Sequence, residues 1–386
     1  MMKALLPAGV MFALITFLVG LNLRPVLAAV GPLFPLLQST AGLSATQFSL
    51  LTTLPVAMMG LAALAGPTLL RHTGAWRGIA IGLFILALAA ALRVFSLNAL
   101  WLIATALLAG AGIGMIQALI PTMIKRDYAR SAGTLMSLFS TGIMAGAALA
   151  AASAAPAAET VGIHFTLAAA ALPAIIALGI WLTGIAQQTV APTAAAVVLR
   201  TTQRAWLLLI FFGIGTAAYT LVLAWLPALY IAAGWSARSS GYLLAGLTLT
   251  EVAAGFMVSL LVHRFSDRRP LLMLVLLLLL AGLICLIGWP GEMPVISTLL
   301  LGLGIGALFP LSLTVTLDHA ATAAEAGKLL ARVQGGGYLI AATMPVIAGV
   351  VRDRADSLNV AWLIMSAGVI VLLIIATRFR PLNARQ

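Results

Sequence analysis

Twelve stretches of this chain are apolar over the length of a membrane crossing, and this limits the fold more than any other feature of the sequence. A hydrocarbon core of ~30 Å needs ~20 apolar residues per helix. The stretches run over 8–36, 45–70, 76–96, 99–124, 132–154, 163–186, 205–232, 239–263, 270–289, 294–317, 328–351 and 360–378. Helices are expected because a lipid-exposed backbone must satisfy its own hydrogen bonds. A barrel would alternate apolar and polar residues, and the run from Leu271 to Leu283 does not alternate. The chain is 63% hydrophobic and only 8% charged, against about 25% charged in a soluble domain. It cannot build a polar shell, and it is too apolar to be disordered. The lone Cys285 excludes a disulfide scaffold.

The net charge of +12 does not point to nucleic acid, because the basic residues stand singly or in twos and threes between apolar runs. They report topology instead. With the N-terminus inside, fifteen fall on the inner side: Lys3, Arg71, Arg77, Lys125, Arg126, Arg130, Arg200, Arg204, Arg264, Arg268, Arg269, Lys328, Arg378, Arg380 and Arg385. Four fall in outer loops, namely Arg93, Arg238, Arg352 and Arg354. Both termini are therefore expected in the cytoplasm. The first run, interrupted by Arg24, far exceeds the apolar core of a signal peptide and is read as a retained helix.

The longest polar connection, 187–204, divides the chain into a six-helix bundle over 1–186 and a second over 205–386. The halves repeat. LLAGAGIGMIQALIP, ending at Pro121, parallels LLLGLGIGALFP, ending at Pro310, and Gly110, Gly112 and Gly114 match Gly302, Gly304 and Gly306 at an offset of 192. AGTLMSLFSTG from Ala132 parallels AGKLLARVQGG from Ala326 at an offset of 194. A parallel repeat of two six-helix halves is one way to build a transporter, with the solute near the midplane between them.

Several stretches resemble one family: LNLRP (Leu21 to Pro25), LLTTLPVAMMG (Leu50 to Gly60), GIGMIQALIPTMIKRD (Gly112 to Asp127), AWLPALY (Ala224 to Tyr230), SDRRPLLML (Ser266 to Leu274), ALFPLSL (Ala307 to Leu313) and LDHA (Leu317 to Ala320). On these the sequence resembles the major facilitator superfamily, and within it the group of cyanate permeases and nitroimidazole exporters. The resemblance implies an all-α membrane fold of twelve helices in two pseudo-symmetric bundles, no cofactor, a small-molecule solute, a monomer, and residence in a bacterial inner membrane. The superfamily's cytoplasmic motif, G-x-x-x-D-R-x-G-R-R, is degenerate in the first half, where GPTLLRHTGAWR (Gly66 to Arg77) lacks the Asp. The second copy keeps Asp267, Arg268 and Arg269, which the resemblance implies act as an inner latch. Glu251 and Arg332, charged and inside helices, depart from what a cyanate permease is expected to carry.

Arg24 lies ~16 residues, or ~24 Å, into the first helix. An arginine at mid-helix costs ~2.5–3.5 kcal/mol on insertion scales, so a cavity, a partner or a solute must offset it. Asp127 and Glu159, the only acidic residues of the first half, are read as loop residues. Arg24 is thus either an anion site or a residue in a structural pair or snorkelling outward. Asn22 points about 160° away at 100° per residue and is not expected to share the site. Pro25 permits a kink. Glu251 lies ~12 residues into the eighth helix, where it carries a proton, contacts solute, or locks helices through Arg24 or Arg332. Arg332 sits one turn inside the membrane and can snorkel. Gln334 and Tyr338 follow it on one face. Gln117 and Tyr219 are weaker candidates, each equally able to make a helix–helix hydrogen bond. Pro121, Pro310 and the Trp225–Pro227 pair mark bends compatible with gating. His319 beside Asp318 is read as a solvated loop pair.

The glycine series is not a dinucleotide fingerprint, because it sits inside apolar helices where small residues allow close packing. There is no G-x-x-x-x-G-K-[ST] and no H-E-x-x-H, and the four histidines are scattered, so neither an enzyme nor a metal site is expected. A membrane-embedded enzyme or sensor would need a longer soluble segment than any loop here. Two readings follow. One is a secondary transporter of a small anion, cyanate-like, coupled to protons through Glu251. The other is a proton-driven exporter of small drugs such as nitroimidazoles.

Overall fold

The computed structural model describes residues 8–183, 203–265, 267–320, 323–355 and 357–379. Lys3, Arg200, Arg380, Arg385, Ser266 and 187–202 of the connection lie outside them. Among the described residues, twelve helices are long and apolar enough to cross a membrane: α1 (Gly9–Ala28), α2 (Ala45–Thr73), α3 (Ala75–Val94), α4 (Ala99–Asp127), α5 (Ala129–Val161), α6 (Ile163–Leu182), α7 (Gln203–Ala232), α8 (Ala237–Leu261), α9 (Arg269–Gly288), α10 (Pro294–Asp318), α11 (Glu325–Ala355) and α12 (Asn359–Ala376). Residues 8 and 379 lie on one side, here the terminal face, and the other side is the far face. Large apolar side chains such as Phe84, Leu149, Leu172, Leu260 and Ile374 stay exposed on the outer surface, as a lipid-facing belt requires.

The fold repeats. In the first bundle α4 packs on α2 and α3, and in the second α10 packs on α8 and α9. The glycine series makes this approach possible. A Cβ at Gly110 or Gly114 would strike the backbone of α2 around Pro55 and Met59, and one at Gly112 would strike Gly82 of α3. Their counterparts behave alike: Gly302 and Gly306 face Leu247, Thr250 and Glu251 of α8, and Gly304 faces Leu279 of α9. The 192-residue offset thus maps Met59 onto Glu251 as well as Gly114 onto Gly306. The bundles meet through α2 with α11 and α5 with α8.

The sequence expectations need five corrections. The first run is not one helix over 8–36. It is helical over Ala8–Leu21, breaks at 22–24, and resumes as the single turn Pro25–Ala28. Pro25 has no N–H for the Leu21 carbonyl, and Asn22 and Leu23 turn back instead to Val19 and Gly20 (3.2 and 3.0 Å). A further helix, Phe34–Ala41, follows on the far face. The sixth run is also split, into Ile163–Ala168 and Ala171–Leu182. Asp127 and Glu159 are helical residues rather than loop residues, because α4 and α5 outrun the bilayer length. Arg93 is not a loop residue either: it is 1% exposed, in a 3₁₀ turn over Leu92–Val94 that finishes α3. Asp318 and His319 are not a mutual solvated pair, because Asp318 accepts from Arg268 at 3.0 Å and His319 Nδ1 lies 2.7 Å from the Val315 carbonyl.

Candidate solute-binding site

The break in α1 delivers Arg24 to the space between the bundles. Gly20, Gly142 and Gly146 let α1 and α5 cross almost backbone to backbone, and a Cβ at Gly146 would run into the Leu21 carbonyl. The chain therefore turns directly against α5, and Arg24 stands at the start of the turn Pro25–Ala28. Arg24 is 5% exposed. Nη1 reaches only the Met59 thioether, at 3.7 Å, and Nε has no hydrogen-bond partner. The guanidinium carbon lies 5.3 Å from the ring centre of Tyr219 on α7, a cation–π contact across the bundle boundary. No carboxylate forms an ion pair with it among the described residues.

Glu251 approaches from the second bundle. It is 4% exposed, and neither carboxyl oxygen has a hydrogen-bond donor. Gly306 presses on its backbone and fixes its depth. Arg24 is near enough to act on it electrostatically, but the two do not pair. The Gln117 Oε1 and the Tyr219 hydroxyl also lack partners.

Arg24, Gln117, Tyr219, Glu251 and Tyr338 all line one cavity of about 370 Å³. Ser137, Ser140, Thr141, Thr216 and Ser312 add hydroxyls, and Phe212, Phe256 and Phe309 add rings. Phe212 packs edge-on to Tyr338 at 5.4 Å and tilted to Phe309 at 5.6 Å. Pro310 lines the cavity, Pro121 does not, and both prolines sit inside uninterrupted helices. Arg332 and Gln334 are not among the lining residues. Arg332 lies over Trp206, 5.7 Å from that ring, toward the terminal face, so it makes no lock with Glu251. Asn22 donates to the Leu18 carbonyl and does not line the cavity; the break at 22–24, rather than a helical angle, separates it from Arg24. Met59, the phenylalanine rings and the hydroxyls were not singled out from the sequence. Met59 had a usable signal, because the 192-residue offset pairs it with Glu251.

The cavity reaches the terminal face between α5 and α8, where Gly133 and Ser259 line it. The far face is closed. Phe34, Phe48 and Trp225 form a buried aromatic plug across the bundles, with ring centres 4.6–5.4 Å apart. Asp353 of α11 caps α2, accepting from the Ala45 and Thr46 amides at 2.8 and 2.9 Å and from the Thr46 hydroxyl at 2.6 Å. Arg238 pairs with Glu159 at 2.6 Å, linking α8 to α5. On the terminal face of the second bundle Asp267 pairs with Arg269 at 2.6 Å. Arg268 donates to Asp318 and to the Val262 and Phe265 carbonyls, tying the loop to α10. The Arg269 guanidinium holds the Asp267 carboxyl below its ordinary range.

The Major Facilitator Superfamily model matches residues 10–324 and 230–386. The chain is 40% identical over 377 residues to the cyanate transport protein CynX of Escherichia coli (strain K12), covering 97% of this chain and 98% of that one. It is 30% identical over 368 residues to the 2-nitroimidazole transporter of the same organism, covering 94% and 92%. In fold it resembles the crystal structure of the D-xylose-proton symporter, with a TM-score of 0.78 and 14% identity over 96% of this chain and 97% of that one. It resembles the nucleoside transporter NupG with a TM-score of 0.73 and 14% identity over 97% and 99%. The repeated bundles, the cavity between them and these likenesses agree: the chain belongs to the Major Facilitator Superfamily and is a multi-pass membrane transporter.

Proposed function

We propose that this transporter carries a small anion by alternating access, with Arg24 as the anion site and Glu251 as a proton carrier. The observation that supports it is a buried guanidinium with no carboxylate to neutralise it, facing a carboxyl with no donor across a shared cavity. A charge held in low dielectric without a partner is costly. An anionic solute offsets that cost. A buried carboxyl without a donor favours the neutral acid, and a cation across the same cavity favours the carboxylate. Ionised, Glu251 competes with the solute for Arg24. Protonated, it leaves Arg24 to the anion. Solute and proton then load together. Tyr219 orients the guanidinium, and Gln117 and Tyr338 offer the solute further hydrogen bonds.

The likeness to CynX favours cyanate as the first solute to try. On this reading residues 1–186 and 205–386 are the two rocking bodies, 187–204 is the cytoplasmic link, and the protein works as a monomer in the inner membrane. The Lys and Arg bias supports an orientation with the termini, and so the open side of the cavity, in the cytoplasm. Asp267, Arg268 and Arg269 latch the second bundle there, and Pro121 and Pro310 let α4 and α10 flex. The test is cyanate uptake into proteoliposomes under an inward proton gradient. Arg24→Ala is expected to abolish uptake, and Glu251→Gln to abolish its dependence on the gradient. Unchanged uptake by the Arg24→Ala protein refutes the anion site.

A second reading is favoured by the cavity itself. About 370 Å³ lined by four phenylalanines and two tyrosines greatly exceeds a triatomic anion and suits a flat, ring-bearing solute. A nitroimidazole has acceptor oxygens for Arg24 and a ring for Phe212 and Phe309, and the 30% identical relative bears on it. Accumulation in cells separates the two, because export lowers the internal level of the solute and import raises it.

A further inference from the structure

We propose that Arg93 is a positioning residue for Arg24: it braces the break in α1 from the far face and so sets where the solute-facing guanidinium stands. The proposal rests on the reading of Arg24 as the anion site. Arg93 is a second buried cation in a bundle whose only acidic residues, Asp127 and Glu159, lie at helix ends. A buried arginine doing no more than filling space would be better replaced by an apolar residue. Its contacts show what it holds. Nη1 donates to the Val26 carbonyl at 3.4 Å, and Nε donates to the Thr105 hydroxyl of α4 at 3.3 Å.

Val26 needs that donor. In a continuous helix its carbonyl would accept from the Val30 amide. Here the helical turn ends at Ala28, and the bonds of the following segment run from Leu33 to Val30 and from Phe34 to Gly31. A buried carbonyl without a donor is costly, so the broken segment adopts this position only with an outside donor in place. Arg93 comes from a fixed point. The Trp101 indole donates to the Leu92 carbonyl at 2.7 Å, and His164 Nδ1 lies 2.9 Å from the Val94 carbonyl. The residues on both sides of Arg93 are thus tied to α4 and α6. Arg24 begins the turn that Arg93 caps, and its carbonyl accepts from Leu27 and Ala28. A shift of this turn would carry Arg24 with it, away from Tyr219 and the cavity.

The test uses the full-length protein and two readouts. The first needs no ligand: hydrogen exchange of peptides covering 22–34 in the parent, Arg93→Met and Thr105→Val. Thr105→Val is near-isosteric, so it tests the brace even if Arg93→Met folds poorly. Faster exchange confined to that segment is expected, and unchanged exchange in both variants overturns the proposal. The second readout is cyanate affinity in a double-mutant cycle with Arg24→Lys. Arg93→Met is expected to weaken binding about tenfold in the parent and hardly at all once Arg24 is lysine, because coupled residues are not additive. Equal losses in both backgrounds mean that Arg93 supports the fold without placing Arg24, and the proposal falls. If Arg24→Lys binds cyanate as the parent does, or the parent does not bind it, the anion-site reading fails instead. The exchange data then judge the brace alone.

Discussion

Met59→Glu is the sharpest perturbation of the site, because Met59 is both the neighbour of Arg24 and the repeat counterpart of Glu251. The Met59 sulfur lies 3.7 Å from Arg24 Nη1. In glutamate the carboxyl carbon takes the place of that sulfur, so its oxygens fall within ion-pair reach. Two unit charges ~4 Å apart at an effective dielectric of ~20 attract by about 4 kcal/mol. Desolvation of the new carboxylate subtracts from this, leaving about 2–4 kcal/mol. Any anion must displace that carboxylate, so its affinity falls by about 30- to 1,000-fold at 1.4 kcal/mol per decade. Equilibrium binding of labelled cyanate to purified protein measures it, with Met59→Gln as the uncharged control. The control is expected to bind as the parent does. Affinity in the glutamate variant is expected to recover as acid protonates the introduced carboxyl. Thermal stability is expected to hold or rise, since a buried cation gains a counter-ion. Parent-like binding by Met59→Glu at neutral pH, in a protein that folds, would refute the claim that solute is drawn by an unneutralised Arg24.

Gly306→Val is expected to destabilise the protein by about 1–3 kcal/mol, because the new side chain meets the Glu251 backbone in a packed interface, and detergent melting curves check it. Asp353→Ala removes the cap that α11 supplies to α2, worth about 0.5–2 kcal/mol. It is expected to shift the protein toward a far-face-open state, read as faster labelling of a cysteine placed at Phe48. Asp267 is held below its ordinary value of 3.8 by Arg269, so its pairing stabilises the fold above that value. The contribution is lost as pH falls through the depressed folded-state value, so melting curves of Asp267→Asn and the parent are expected to differ at neutral pH and to converge in strong acid.

Polarity made part of the site legible. Arg24, Glu251, Gln117, Tyr219 and Tyr338 stood out because each is expensive at membrane depth, and all five line the cavity. Arg332 and Gln334 stood out for the same reason yet lie off it; Arg332, one turn from the boundary, packs over Trp206 instead. The phenylalanines were hidden, since an apolar residue in an apolar helix carries no mark of what it touches, and Met59 is marked only by its 192-residue offset from Glu251. The α1 break was foreshadowed by Pro25, but its extent depends on the crossing with α5 through Gly142 and Gly146, a contact far away in sequence. Arg93 followed the pattern of a basic residue at a helix end, and only the packing of α1, α3 and α4 reveals that its end is inside. The repeat announced two corresponding halves, and the packing of Gly114 on Met59 and of Gly306 on Glu251 shows which residues mirror each other.

The cavity carries one permanent cation, Arg24, and one ionisable carboxyl, Glu251, each on its own bundle. In the proposed cycle the anion arrives with the proton that neutralises Glu251, so the loaded and empty carriers bear the same net charge. A full charge crossing the bilayer would be worth about 2.3 kcal/mol per 100 mV. Here that work cancels between anion and proton. Accumulation would then follow the pH difference across the membrane and ignore its voltage, and a potassium–valinomycin clamp would leave uptake unmoved.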